Sequence, residues 1–330
     1  MKLIKICAVM LALFVLAASP APSCAKAAND FEKGYSYYVM LNYKDALACF
    51  QKGAQAGDPR AMYFLGVMYT EARGVEMDEQ TASDYFSKAG QTAVALAKKA
   101  DARGMFAIAT SYLDGYGINQ DYSEALRWYK MAADEGDLYA MNYLGRIYNN
   151  GWGVPMDEKK AIKYFEKAAD AGDVNSIVSL ANLYLSSEQI QPNAQKAMKY
   201  YRQAADMGNA LAMGSLGTIL SGEGGAAPNY SEAINWLQKA AKLGNARAMS
   251  NLGILYREGR GVPQDNAKAL NWYRQAADLG HTGAMTGAAM IYAQQGNFNE
   301  AMPLLIRAAR HGDEEAIKIL NMLQSQSESE

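Results

Sequence analysis

Glycine recurs along this chain at a fixed interval of 36 residues, and this period restricts the possible folds more strongly than any other feature. The interval separates Gly136, Gly172, Gly208, Gly244 and Gly280. Self-similarity at a constant period of this size is typical of stacked supersecondary units, each of which buries its hydrophobic face against its neighbours. The period therefore predicts one continuous array of units instead of several unrelated globular domains.

The period has one interruption near the N-terminal end. Gly57 and Ala93 are also 36 residues apart, and Ala100 lies 36 residues before Gly136. The mismatch is confined to the seven residues between Ala93 and Ala100. Because seven residues are close to two turns of an α-helix, the insertion is expected to lengthen a helix while nearly preserving its buried face.

The first part of each unit has the apolar spacing of a helix. In the third complete unit, Leu144 and Tyr148 share one helical face, and Gly145 follows the leucine. Glycine inside a helix costs about 1 kcal/mol relative to alanine. Its recurrence, with alanine in two units, therefore predicts that a neighbouring helix approaches too closely for a larger side chain.

The second part of each unit also has helical spacing. Ala161, Tyr164 and Ala168 lie on one face in the order small, aromatic, small, which favours interlocking ridges. We interpret the aromatic positions as core positions and not as a ligand-binding aromatic box. The glycine that ends the unit fits a left-handed helix stop. The predicted N-caps of these second helices are Asp78, Asp121, Asp157 and Asp265, with Asn193 and Asn229 in two units.

Two strings carry a resemblance to a known family. AMNYLGRIYNNGWGVPMDEKKAIKYFEKAADAGD at 140–173 and AMSNLGILYREGRGVPQDNAKALNWYRQAADLGH at 248–281 resemble the Sel-1-like repeat, a relative of the tetratricopeptide repeat. The resemblance covers nearly all of residues 31–313. It implies an all-α fold, a right-handed α/α superhelical solenoid of stacked antiparallel helix pairs.

The expected organisation follows from the period and the resemblance. A tetratricopeptide-like capping unit is predicted at 28–57, because its loop is short. Six Sel-1-like repeats follow at 58–280, one of them with the seven-residue insertion at about 94–100. A short repeat and a C-terminal capping helix are expected at 281–323, and a polar tail at 324–330.

The first residues resemble a secretory signal peptide. Lys2 and Lys5 precede an uncharged apolar run at 6–16, and prolines follow. Cleavage is predicted after Ala27, with lipid anchoring at Cys24 as the alternative, which the tripeptide before Cys24 supports poorly. No later segment is apolar enough to span a bilayer. We therefore expect a protein exported by a bacterium, either to the periplasm or outside the cell.

Charge and residue types argue against several function classes. The net charge of -2 gives no basic excess for phosphate contacts, so no nucleic-acid partner is predicted. With two histidines and no Cys/His cluster, neither a metal site nor another cofactor is expected. Some cysteine-rich members of the family have been linked to β-lactam hydrolysis, but this chain lacks their cysteine pairs. Its Ser-x-x-Lys match, from Ser23 to Lys26, lies at the expected leader. The chain is therefore predicted not to be an enzyme.

A stripe of variable residues on the first helices is the predicted binding surface. The residues of the stripe differ between units, whereas the packing residues of the same helices recur. In related solenoids the first helices line the concave surface. Its mixture of aromatic, Arg and Asn residues suits a protein or peptide partner; a solvated face under no selection is the alternative. The candidate binding residues are Arg60, Tyr63, Arg103, Phe106, Tyr139, Asn142, Arg146, Asn149, Asn182, Arg247 and Arg257.

The sequence favours an exported scaffold or adaptor that binds another protein through this concave surface. A periplasmic regulatory protein, which holds a membrane receptor or enzyme in check, would use the same surface and differ only in its partner. An envelope hydrolase of the β-lactamase type is the third alternative, and it lacks an evident nucleophile and base. The repeat pattern predicts no particular oligomeric state.

Overall fold

A computed structural model describes residues 29–327, with gaps at 41, 188 and 224–226. The expected signal peptide, its Cys24 alternative and the Ser23 to Lys26 match lie outside the described residues. So do the last three residues of the polar tail.

The described part of the chain forms 17 α-helices and no strand. The predicted all-α solenoid is confirmed. The helices are α1 Asp30–Val39, α2 Tyr43–Gln55, α3 Pro59–Thr70, α4 Glu79–Ala97, α5 Ala102–Asp114, α6 Tyr122–Asp134, α7 Leu138–Asn150, α8 Glu158–Asp170, α9 Val174–Ser186, α10 Ala194–Asp206, α11 Ala210–Leu220, α12 Tyr230–Lys242, α13 Ala246–Glu258, α14 Asn266–Asp278, α15 Thr282–Gln294, α16 Phe298–Arg310 and α17 Glu314–Ser327.

Odd-numbered helices up to α15 are the first helices of their units, and even-numbered helices are the second. Every helix packs against the next one along the chain. First helices also contact one another, as α3 does with α5 and α13 with both α11 and α15. Within the described ranges, no two second helices pack as closely. First helices therefore lie on the inside of the curved stack, and we call their solvent side the inner face.

The recurrent glycines allow close helix packing, as the sequence predicts. A Cβ atom on Gly145 would lie 2.5 Å from the Phe165 ring, and one on Gly253 would lie 2.6 Å from the Tyr273 ring. The ring that fills this space is one residue beyond the predicted core aromatic. Tyr164 is half-buried and stacks on Tyr148 with ring centroids 5.7 Å apart. The fully buried ring of this helix is Phe165, which corrects the core assignment.

Helix α4 extends into the segment between Ala93 and Ala100 where the repeat period is interrupted. It is 19 residues long, whereas α6 and α8 are 13. The chain then turns through Ala100, whose φ of 57° lies in the left-handed region that glycine occupies in the other units.

Side chains cap both helices of nearly every unit. The predicted caps of the second helices are confirmed: each accepts a hydrogen bond from a backbone N–H of the first turn. The first helices are capped by the residue directly after each recurrent glycine or its counterpart Ala100, which the sequence reading did not single out. These caps are Asp58, Asp101, Asp137, Asp173, Asn209, Asn245 and His281.

The cap at His281 is expected to make helix α15 sensitive to pH. Its Nδ1 accepts from the Ala284 N–H at 3.1 Å, which requires the neutral imidazole. Burial, reinforced by Arg247 and opposed by Asp313, lowers the pKa of His281. The unfolded chain therefore takes up this proton first. The cap's contribution, about 1 kcal/mol, is complete above about pH 6.5 and lost as the pH falls through the folded pKa.

The matched variant is His281→Asn, because asparagine holds this position at Asn245. Urea unfolding of both proteins at about pH 7.5 and about pH 5 measures the effect. We expect the stability of the variant relative to the natural protein to increase at the lower pH. Parallel changes in the two proteins would contradict the assignment.

No helix among the described residues is both long enough and apolar enough to cross a membrane.

Candidate functional site

The inner face of the N-terminal half is closed by the chain's own aromatic side chains. The Phe31 ring of α1 lies 5.3 Å from the Tyr139 ring of α7, and the Tyr35 ring lies 5.1 Å from it. Phe31 also contacts Phe64 and Phe106 with ring centroids 6.0 and 6.3 Å away. The stack therefore curves so tightly that helices three units apart meet. We call these five residues the aromatic cluster.

Arg60 lies beside the aromatic cluster in a buried ion network. Its guanidinium carbon is 4.1 Å from the centre of the Phe31 ring. Its Nη2 is 2.8 Å from an Asp58 carboxylate oxygen, and its Nη1 is 3.4 Å from one of Asp137. Only 4% of the Arg60 side chain is exposed. The network ties the N-terminal turn of α3 to that of α7.

Five of the eleven candidate binding residues are buried, so the prediction that they form an exposed wall is wrong. For Arg60, Phe106 and Tyr139 the physical reason is the tight curvature, which brings the inner faces of α1, α3, α5 and α7 together, whereas Tyr63 and Asn142 are hydrogen-bonded to the next first helix and its cap. Each side chain is committed to packing or internal hydrogen bonds. These five residues are Arg60, Tyr63, Phe106, Tyr139 and Asn142.

Tyr63 and Asn142 show what the buried polar groups do. The Tyr63 hydroxyl donates to an Asp114 carboxylate oxygen at 2.6 Å. The Asn142 amide donates to Asp173 at 3.1 Å and to Ser176 at 2.8 Å. Because Asp173 caps α9, Asn142 links α7 to the helix of the next unit. These side chains join neighbouring first helices within the stack.

The other six candidate residues retain access to solvent. Arg103, Asn182 and Arg247 are exposed, and Arg146, Asn149 and Arg257 are half-buried. Arg103 and Arg257 form ion pairs with neighbouring carboxylates, at 2.7 Å to Asp101 and 2.9 Å to Glu258. Arg146, Asn149 and Asn182 line one cavity between α7 and α9. Three residues selected from sequence variation thus meet at one place.

That cavity has a volume of about 420 Å³, and we call it the Arg146 pocket. The Arg146 guanidinium lies 4.8 Å from the centre of the Tyr143 ring and 5.5 Å from that of Trp152. Phe165 and Leu183 supply apolar lining. The pocket thus combines a cation with an apolar surface.

Asn182 is held by a residue that the sequence reading did not select. The Tyr201 hydroxyl of α10 donates a short hydrogen bond to the Asn182 side-chain oxygen. This hydrogen bond occupies the Asn182 oxygen, so the N–H groups of this pocket-lining amide remain as donors. Ser179 and Ser186 add hydroxyl groups to the lining.

Glu158 closes the loop end of the Arg146 pocket. It is buried at the first turn of α8, and its carboxylate accepts a short hydrogen bond from Ser187 and a 3.0 Å hydrogen bond from the Gln189 backbone. The Glu158 backbone N–H donates to the Gln189 side chain at 3.1 Å. Glu158 therefore ties the first turn of α8 to Ser187 and Gln189, which lie in a loop sequence that lacks the glycines found in other units.

A signal for this loop contact exists in the sequence, although it was not used. In three other units the first residue of the second helix is a tyrosine that packs on a glycine in the following unit's loop. Cβ atoms placed on those glycines would lie 2.2 to 2.7 Å from the tyrosine Cβ. Where Glu158 replaces the tyrosine, the glycines are missing too. The three tyrosine and glycine pairs are Tyr43 and Gly74, Tyr122 and Gly153, and Tyr230 and Gly261.

A larger hollow of about 670 Å³ lies along α10. Its lining includes Met198, Met207 and Leu220, with Lys199 and Arg202. Arg202 is already paired with a carboxylate at 2.5 Å. Lys199 forms no ion pair with the described residues, but the hollow lacks an amide held by a hydrogen bond, as Asn182 is in the Arg146 pocket.

Within the described ranges, no three His, Cys, Asp or Glu side chains are grouped as metal ligands would be. Cys49 is a half-buried thiol on α2, and burial raises its pKa.

Comparison with known proteins identifies the repeat. A family model described as the Sel1 repeat matches seven segments, residues 21–58, 59–91, 102–137, 138–173, 175–209, 210–245 and 246–281. Together these segments cover well over half of the chain. The chain belongs to the Sel1 repeat family. The match at 21–58 includes the whole unit at 28–57, for which the sequence predicts a tetratricopeptide-like cap.

Solved structures of similar Sel1 repeat proteins agree with the fold. A protective antigen of uropathogenic Escherichia coli, displaying an SLR fold, is 28% identical with a TM-score of 0.61. The match covers 87% of this chain and 62% of the antigen, so this chain spans less than two thirds of the antigen's length. A Sel1 repeat protein from Oxalobacter formigenes is 30% identical with a TM-score of 0.54, over 76% of this chain and 99% of that one.

Yeast Tom70 is 16% identical with a TM-score of 0.52, over 94% of this chain and 68% of Tom70, and it shows only a shared fold. Sel1 repeat proteins are generally scaffolds for protein interaction.

Proposed function

We propose that this Sel1 repeat protein is an exported scaffold without catalytic activity, and that it binds another protein through the inner face of α7, α9, α11 and α13. One observation carries the proposal. In the N-terminal half the inner face is filled by the aromatic cluster, whereas Arg146, Asn182, Arg247 and Arg257 keep access to solvent farther along. Arginine is enriched at protein interfaces and among the residues that dominate affinity.

The charge at Arg247 provides a direct test. Arg247 is exposed on α13 and makes no ion pair with the carboxylates of the described residues. Arg247→Glu should weaken partner binding about tenfold or more, because a like charge replaces a complementary one. Affinity capture from bacterial envelope extracts, followed by titration of the captured partner, measures the loss.

Lys130→Glu is the matched control, since Lys130 is an exposed cation on the second helix α6. It should change binding by less than about twofold, because the substitution lies away from the proposed interface. Equal losses in the two variants would contradict binding through the inner face.

Export is proposed from the charged head and apolar run of the first residues. The mass of the mature protein from fractionated cells tests it. Cleavage after Ala27 predicts a chain that starts at Ala28, and a lipid-bearing Cys24 would support the anchored alternative. A cytoplasmic chain that retains Lys2 would contradict export.

A further inference from the structure

Arg146 is a half-buried cation that forms no ion pair with the described residues, although the nearby Asp114 carboxylate feels its charge: burial raises the pKa of Asp114, a change that Arg146 opposes. Other arginines of the inner helices, such as Arg60, Arg103 and Arg257, form ion pairs. No carboxylate of the described residues forms one with Arg146, whose guanidinium lies against the Tyr143 and Trp152 rings. A guanidinium that has lost part of its hydration gains most from an anion that reaches it.

The pocket around Arg146 also holds neutral donors and an apolar surface. Tyr201 holds the oxygen of Asn182, so the Asn182 N–H groups are available. Ser179 is another lining group, and Phe165 is part of the apolar surface. A cation beside an amide donor suits a carboxylate, and the apolar surface suits a neighbouring side chain of the same ligand.

We propose that the Arg146 pocket binds a carboxylate group carried by a peptide segment of the partner protein. This inference rests on the proposed function, which requires a protein partner on the inner face. The volume of about 420 Å³ accommodates one or two residues and not a folded domain.

The surrounding charge favours a carboxylate over a phosphate. The buried carboxylate of Glu158 lies on the same pocket wall. A phosphate group carries about 1.5 to 2 negative charges at neutral pH. Glu158 repels any anion in the pocket, and it repels a phosphate more strongly because one arginine does not balance the additional charge.

Binding of short labelled peptides, followed by fluorescence anisotropy, tests the pocket. Three random pools are compared: one with a free C-terminal carboxylate and no Asp or Glu, one amidated with internal Asp and Glu, and one amidated without acidic residues. We expect one of the carboxylate-bearing pools to bind at least about tenfold more tightly than the uncharged pool. The two acidic pools distinguish a chain terminus from an acidic side chain.

Arg146→Met retains a stem that can pack on Tyr143 and removes the charge. It should reduce binding of the preferred pool about tenfold, whereas Arg127→Met on the outer helix α6 should not. Arg146→Lys retains the charge and serves as the second variant if Arg146→Met unfolds. It should bind the preferred pool less tightly than the natural protein, because lysine cannot form the bidentate contact. Equal binding of all three pools, no binding of any pool, or full binding by the Arg146 variants would overturn the proposal. So would stronger competition by inorganic phosphate than by acetate.

Capture of the natural partner separates this inference from the proposed function. If Arg247→Glu abolishes capture and Arg146→Met leaves it unchanged, the carboxylate pocket is wrong and the scaffold proposal stands. If capture survives both substitutions, binding through the inner face is wrong as well.

Discussion

Replacing Arg60 with alanine is expected to lower the free energy of unfolding by about 3–5 kcal/mol. The substitution would leave the carboxylates of Asp58 and Asp137 facing each other without a cation, and only 5% of the Asp137 side chain is exposed. Burial already raises the pKa of Asp137, a change that Arg60 opposes. The loss also removes the contact between the guanidinium and Phe31. Urea unfolding followed by circular dichroism measures the change.

Arg103 is a close control within the same chain. Both arginines stand two residues after the Asp that caps their helix, and their Nε atoms lie 3.1 and 3.0 Å from that Asp. Arg103 differs because 44% of its side chain is exposed. Arg103→Ala should therefore cost no more than about 1 kcal/mol. Similar losses in the two variants would show that burial at Arg60 has little energetic effect.

Replacing Gly145 with alanine is expected to destabilise the protein by about 1–3 kcal/mol. Alanine normally stabilises a helix relative to glycine by about 1 kcal/mol. At Gly145, however, three atoms of the Phe165 ring lie 2.5 to 2.8 Å from the position of the new Cβ. The ring is buried in the core and cannot move without disturbing its own packing. The steric cost should therefore exceed the gain in helix propensity.

Replacing Gly90 with alanine is expected to have the opposite effect on stability. It lies within α4, and no heavy atom lies within 4 Å of a Cβ placed there. Gly90→Ala should raise stability by about 0.5–1 kcal/mol. Thermal or urea unfolding of both variants checks the pair. A gain at Gly145 would contradict the close approach of α7 and α8.

Most of the fold could be predicted because its determinants are local and repeated. The spacing around Leu144 and Tyr148 predicts a helix, and Asp157 and Asp265 cap the helices that follow them. The recurrent glycine at Gly145 indicates a close helix pair without showing which ring fills the space. Phe165 follows Tyr164 directly and lies about 100° farther around the helix, so a pattern anchored on the tyrosine missed it by one residue.

The inner face was harder to predict because burial there depends on the angle between successive units. The segments around Arg60 and Arg103 both begin with an Asp cap followed two residues later by arginine. Their burial differs because Arg60 reaches Asp137, 77 residues away. Similarly, Phe31 contacts Tyr139 across three units. No local spacing encodes that curvature, so variation between repeats selects residues of the inner helices but not which of them are exposed.

Site-specific photo-crosslinking in living cells tests binding through the inner face most directly. A photoreactive phenylalanine is placed at Asn182 or Arg247 on the inner helices, and at Lys130 or Lys163 on the exposed side of second helices. The account predicts adducts with a partner protein from the two inner positions and none from the outer ones. Adducts confined to positions 130 and 163, or of equal yield at all four, would contradict it.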